Sequence, residues 1–300
     1  MKVYCQFRNF DSSYNFIFKN MQLKLGRISD SNDPVEIKVL NAINEDLSFI
    51  DQDNYNSELN IYLNSILKMS CFTTGEYDFN SSELLQAKLN NRAPFFKPKM
   101  WALYGSNQSS DNEGICIVFN ENIINRFGQL NEAYNIKHDY IHYDNFLNEI
   151  ISGTFSYNTD VIIPEPKSDK DIKNTVQDYI EKNSKKNYMT KDKDWESEDE
   201  YRLLCWNKLS TTSNYETYLN FEAEDVEAVI LGYNFSKNQH YKDFIHLLLT
   251  KNIPVYKLGL LQNIPAIVIV NDENDDEIIS SRFEYLHYEK QKERRKLEEI

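Results

Sequence analysis

The stretch DWESEDEYRLLCW, residues 194–206, sets Glu198, Glu200 and Arg202 at every second position and then runs into apolar text. Read as a strand, its side chains alternate between faces, so these three share one face while Asp199, Tyr201 and Leu203 take the other. Residues two apart on one face lie about 7 Å from each other, which lets two carboxylates address different atoms of one sugar. Arg202 then offsets part of their mutual repulsion. Read as a helix, the same text yields an i,i+4 pair between Glu198 and Arg202 and little else. The bland alternative is a solvated face, which is what charge runs usually are.

Working outward, the pattern mixes strands and helices. KVYCQF (2–7), MQLKLG (21–26), KMSCFTT (68–74), GICIVF (114–119), IKHDYIHY (136–143), VEAVILG (226–232), IPVYKL (253–258) and AIVIV (266–270) read as strands. Helical spacing covers 12–20, 54–67, 81–89 (with Ser81 as its cap), 97–105, 168–183 and 236–252, and RISDSNDP (27–34) is turn chemistry. Pro98 at the first turn and Gly105 at the end bracket the 97–105 helix. There is no regular βαβ alternation and no internal repeat. An α+β fold follows: a single compact domain over 1–273 with a mixed or antiparallel sheet flanked by helices, then a charged C-terminal helix over 274–300.

Composition narrows the function classes. Hydrophobic content of 41% and aromatic content of 13% fit a globular chain rather than a disordered one. A formal net charge of −14 argues against general nucleic-acid binding, which needs a basic surface; the lysines of 185–193, for instance, are interrupted and followed by acids. Cys5, Cys71, Cys116 and Cys205 form no C-x-x-C pair and sit in apolar or strand-like text, so buried reduced thiols are expected. MKVYCQFRNF has no leader-like apolar core, and AIVIV is the longest apolar run. A cytoplasmic protein without a membrane partner is therefore expected.

Other chemistry is thinner. His138 and His142 have i,i+4 spacing, but the general-base Glu of H-E-x-x-H is missing, and on a strand they lie too far apart for one zinc; no metal site is assigned. Glu36-x-Lys38 is similar to a nuclease pair, yet Asp33 stands too near in sequence to supply the second acid from another strand. Neither standard phosphate-binding glycine loop nor a nucleophile elbow is present. Trp101 and Tyr104 on the 97–105 helix fit a core pair as well as a stacking platform.

Several stretches resemble a bacterial family known as domain of unknown function 2971. VYCQFRNF and LKLGRISDSNDPVE resemble its opening strand and Asn-Asp-Pro turn, here Asn32, Asp33 and Pro34. MSCFTT resembles its Cys-Phe-Ser strand, and MWALYG with EGICIVF its Met-Trp-x-x-Tyr helix and glycine-led strand. WESEDEYRLL matches its Trp-x-x-Glu-x-Glu-aromatic-Arg pattern, and VEAVILG its late strand ending in glycine. The resemblance spans roughly residues 3 to 232. Departures are Gln6 and Phe7 where the family has Lys and Tyr, and no His stands before the glycine in SNQSSDNEG.

The order of these motifs is similar, more loosely, to ADP-ribosyltransferases with an Arg, a Ser/Thr strand and Glu-x-Glu. That resemblance implies a split sheet and a NAD-consuming enzyme, in a bacterial toxin or anti-phage defence setting. It would make Glu200 the carboxylate that stabilises the oxocarbenium-like ribose, with Glu198 orienting the acceptor and Thr73 holding Glu200. Arg8 would meet the pyrophosphate, with Trp101, Tyr104, Arg202, Asn32 and Asp33 as further contacts to NAD or a related nucleotide. The acceptor would be a protein or an RNA. Two alternatives stand beside it: a non-catalytic ligand-sensing or protein-binding domain, in which Glu200 and Arg202 are a buried structural pair with Arg8 or Asp33, and a nuclease.

Overall fold

A computed structural model of the chain describes residues 1–30, 41–43, 48–77, 79, 93–105, 113–145, 160–162, 169–208, 216–235, 240–261 and 264–270. The expected helix at 81–89, the Asn32–Pro34 turn and the C-terminal helix from 274 lie outside these residues. The described strands, in chain order, are β1 (Lys2–Arg8), β2 (Gln22–Arg27), β3 (Asn41–Ile43), β4 (Leu67–Glu76), β5 (Ile115–Phe119), β6 (Tyr134–Tyr140) and β7 (His142–Asp144). They continue with β8 (Asp160–Ile162), β9 (Thr190–Asp192), β10 (Glu200–Asn207), β11 (Thr217–Asn220), β12 (Val226–Leu231), β13 (Val255–Leu261) and β14 (Ile264–Ile269). The fold is α+β, as the sequence pattern predicts. Two compact units divide the chain, one of residues 1–21, 75–122 and 221–300, the other of 22–74 and 123–220.

In the first unit, β5 runs antiparallel to both β1 and β12, β12 is parallel to β13, and β14 returns antiparallel to β13. The parallel pair is joined through the Tyr241–Thr250 helix, since parallel strands cannot be closed by a hairpin. β5, ICIVF, is buried at every position, the mark of a strand covered on both faces. Val3, Cys5, Phe7, Cys116, Val118, Ala228 and Ile230 build the core on one of those faces, and the Pro98–Tyr104 helix adds Met100 and Trp101. A second aromatic knot gathers Phe10, Phe235 and Phe244, with ring centroids 5.1 to 5.9 Å apart.

The second unit is an antiparallel sheet in the order β11-β2-β4-β10-β6, with two short parallel pairs, β3 with β8 and β7 with β9. The Phe49–Ile66 helix starts where Ser48 Oγ accepts the Asp51 N–H at 3.2 Å, ahead of the apolar stripe that predicts it from 54. Its buried stripe of Tyr55, Leu59, Tyr62, Leu63 and Ile66 shares one core with Val176, Tyr179 and Ile180 of the Asp169–Tyr188 helix and with Leu204 and Trp206 of β10. The single strand predicted over 136–143 is two strands broken at Ile141, whose N–H donates to Glu200 O at 2.9 Å.

Three glycines of the sequence motifs meet in the first unit. Gly114 N–H donates to Gly105 O at 2.7 Å, and Gly232 N–H donates to Gly114 O at 2.9 Å. A Cβ on Gly114 would stand 2.5 Å from Gly105 O and 2.6 Å from Arg8 O, both backbone atoms that cannot swing away. Gly114→Ala is therefore expected to cost about 1–3 kcal/mol in chemical unfolding through forced backbone shifts. Gly128→Ala, whose added Cβ meets nothing nearer than Asn131 Nδ2 at 3.9 Å, is the control that should leave the midpoint unchanged.

Candidate functional site

The quoted stretch folds differently at its two ends. Lys193–Glu198 is a 3-10 turn, and β10 begins only at Glu200, so Glu198 is not part of the alternating strand face. Asp199 between them has φ 45°, a left-handed conformation that Asp tolerates better than most residues. Thr74 of β4 pins this corner, its N–H and Oγ1 both donating to Asp199 O, at 2.9 and 3.1 Å. The corner brings Glu198 back beside Glu200. Strand alternation is thus replaced by a turn, and the two carboxylates still converge.

They converge on a cation. Lys191 of β9 places Nζ 2.8 Å from Glu198 Oε2 and 3.3 Å from Glu200 Oε2. Arg202 donates from Nε to Glu200 Oε1 at 2.6 Å and from Nη1 to Tyr188 O at 2.8 Å. All four side chains are at most 5% exposed, so two negative and two positive charges cancel inside the unit. The Lys191 ammonium also lies 4.6 Å from the Trp195 ring centroid, a cation–π contact that covers its remaining side. Tyr143 Oη accepts the Glu200 backbone N–H at 2.9 Å.

Burial pushes the Glu200 carboxyl up. Arg202 and Lys191 pull it down further, with hydrogen bonds from Arg202 and Cys71, to about 2. Glu200 is therefore a carboxylate at any physiological pH. Thr73 stands directly opposite Glu200 across β4 and β10 and is buried, while the thiol that bonds the carboxylate belongs to Cys71, opposite Arg202. Cys71 is also the one of the four cysteines that is not fully buried, against the expectation of four buried thiols.

Four of the sequence-predicted residues thus fall in one place: Glu198, Glu200, Arg202 and Thr73. Arg8, Trp101 and Tyr104 belong to the first unit. Trp101 is 3% exposed, donates from Nε1 to Phe95 O at 2.7 Å and meets Phe7 edge-on at 5.1 Å, so it is a core residue with its polar atom satisfied. Asn32 and Asp33 lie outside the described residues. Lys191, Tyr143 and Cys71 escaped sequence reasoning. Two carboxylates brought inside a fold demand a second cation besides Arg202, but spacing does not single out Lys191, since Lys193 stands nearer to them in sequence.

Lys191→Met leaves Glu198 buried without a countercharge and is expected to lose about 3–5 kcal/mol of folding stability. Adding Glu198→Gln to that variant should recover part of the loss, a coupling that a double-mutant cycle in urea reads directly. Because the folded Glu200 pKa of about 2 lies below the ordinary carboxyl value of 4.5, its contribution is complete above pH 4.5 and disappears as pH falls through about 2. Glu200→Gln should flatten the acid limb of the stability profile over that window.

Among the described residues no helix is long and apolar enough to cross a membrane, and no group of His, Cys, Asp and Glu is placed to hold a metal ion. Comparison with curated proteins and with solved structures gives no match. A family comparison does give one, over a span that runs from the helix carrying Trp101 to the strand carrying Glu200 and Arg202. Residues 100–203, about a third of the chain, match the family described as Protein of unknown function (DUF2971).

Proposed function

We propose that the chain is a NAD-consuming enzyme of the ADP-ribosyltransferase type, with Glu200 as its ribose-facing carboxylate. The observation that carries this reading is the Glu200 carboxylate itself, held ionised by two cations at the first residue of β10, with Glu198 on the same ammonium. Cleavage of the nicotinamide–ribose bond sends the bonding electron pair to nicotinamide and leaves an oxocarbenium-like ribose, which a fixed negative charge stabilises. The acceptor nucleophile then attacks the same carbon, and Glu198 takes its proton. Lys191 and Arg202 keep both acids charged until that moment. For ribose to be engaged, one Glu200 oxygen must exchange a cation for a sugar hydroxyl. A role as a bacterial toxin or anti-phage effector follows from the family resemblance alone.

A second reading rests on a different feature of the same residues. Glu200 has both oxygens occupied and is 4% exposed, which is how a structural brace is built. Under it the chain is a non-catalytic ligand-sensing or protein-binding domain. Wild-type protein incubated with NAD labelled in the adenosine portion and a cell lysate separates the two. The enzyme reading expects free nicotinamide, with label on protein or RNA if transfer follows, and loss of both in a folded Glu198→Gln variant. No nicotinamide release by wild-type protein in the lysate leaves the brace. Loss of RNA or DNA that needs Mg²⁺ and ignores NAD would instead mark a nuclease.

A further inference from the structure

A second charged feature lies on the other face of the second unit's sheet. Lys68 of β4 pairs with Cys205, which alternates away from Glu200, Arg202 and Leu204 along β10. It is also five residues along β4 from Thr73, about 17 Å at strand rise. Lys68 is 4% exposed, and its ammonium donates to Ser65 O at 2.6 Å. That carbonyl ends the Phe49–Ile66 helix, so the contact caps a helix terminus and supplies about half a negative charge. It uses one of three N–H donors.

Arg27 stands directly opposite Lys68 in the antiparallel pairing of β2 and β4. Like charges opposite each other on neighbouring strands repel, and a buried cation lacking a full countercharge is costly. Burial, then Arg27, lowers the Lys68 pKa; Cys205 and Asp30 act against this, and Lys24 adds to it. Asp30 attracts Lys68 and Glu216 attracts Arg27, but neither acid forms an ion pair with these two cations among the described residues. Lys24 is held by Glu216, and Asp30, which accepts from Ser29 Oγ at 3.3 Å, makes no ion pair among the described residues. Arg27 is exposed and likewise makes no ion pair among them.

We propose that Arg27 and Lys68 form an anion site that takes a phosphate group. A guanidinium presents a planar pair of donors to two phosphate oxygens, while an ammonium with two unused donors serves a third. A planar carboxylate offers only two oxygens to the same set. Occupation would replace a repulsion between cations by two attractions, at a place apart from the carboxylate network. The phosphate is either free in solution or the terminal group of a nucleotide.

The test is calorimetric titration of the full chain with inorganic phosphate and with ADP at constant ionic strength. Saturable one-site binding of either ligand is expected, and Arg27→Gln, an exposed substitution that should fold normally, should weaken it about tenfold or more. Lys68→Met should do the same in any preparation that remains folded. Tighter binding of ADP than of phosphate assigns the site to a nucleotide; equal binding assigns it to the free anion. No saturable binding of either ligand, or unchanged affinity in Arg27→Gln, overturns the proposal. NAD turnover plays no part in this readout, and only binding that Arg27→Gln weakens is assigned to this site rather than to the carboxylate centre.

Discussion

The Lys191 ammonium, held between the carboxylates of Glu198 and Glu200, is the contact on which the interior of the second unit depends. Two acids brought out of water beside each other repel strongly in a low-dielectric setting, and each also loses its hydration. One cation serves both. Lys191 stands on a three-residue strand, paired with β7 and placed just after the Asp169–Tyr188 helix, whose last residue gives its carbonyl to Arg202. A short strand, a helix end and a left-handed Asp199 are thereby tied to one electrostatic balance.

The first unit is organised by a different constraint. There, close approach of backbones replaces charge: Gly114 donates to Gly105 and accepts from Gly232, and beside the Arg8 carbonyl it has no room for a Cβ. Trp101 fills the neighbouring core with its ring and satisfies its N–H on Phe95. Motifs that look alike in sequence, as short runs of aromatic, glycine and charged residues, thus do separate physical work. Glycine and Trp101 close packing, whereas Glu198, Glu200 and Arg202 hold charge. Charge is the part with chemical potential, because a carboxylate that stays ionised can meet developing positive charge and a packed indole cannot.

Much of this was legible in advance. Alternation over KVYCQF, SCFTT, ICIVF and YRLLCW, and helical spacing over 54–67 and 97–105, correspond to elements of the structure, since burial of one face leaves a period in the text. Short elements were not legible. β9, β11 and the Asn122–Phe127 helix are three to six residues long, too short for any period to rise above chance, and they exist because neighbours offer pairing. The break at Ile141 was hidden for a related reason: it is set by the bond from its N–H to Glu200 O, fifty-nine residues away in the chain.

The amino-acid sequence by itself determined the α+β class, the main strands and helices, and the pairing of Glu200 with Arg202 on one strand face, because each of these is written in spacing that one segment carries alone. Only the tertiary structure decided that Glu198 reaches the same place from a turn, that Lys191 lies between the acids, that Cys71 rather than Thr73 bonds Glu200, and that Arg27 faces Lys68. Those facts depend on which strands become neighbours and in which register. Register is a property of the folded sheet, set by every contact at once and by no stretch of text on its own.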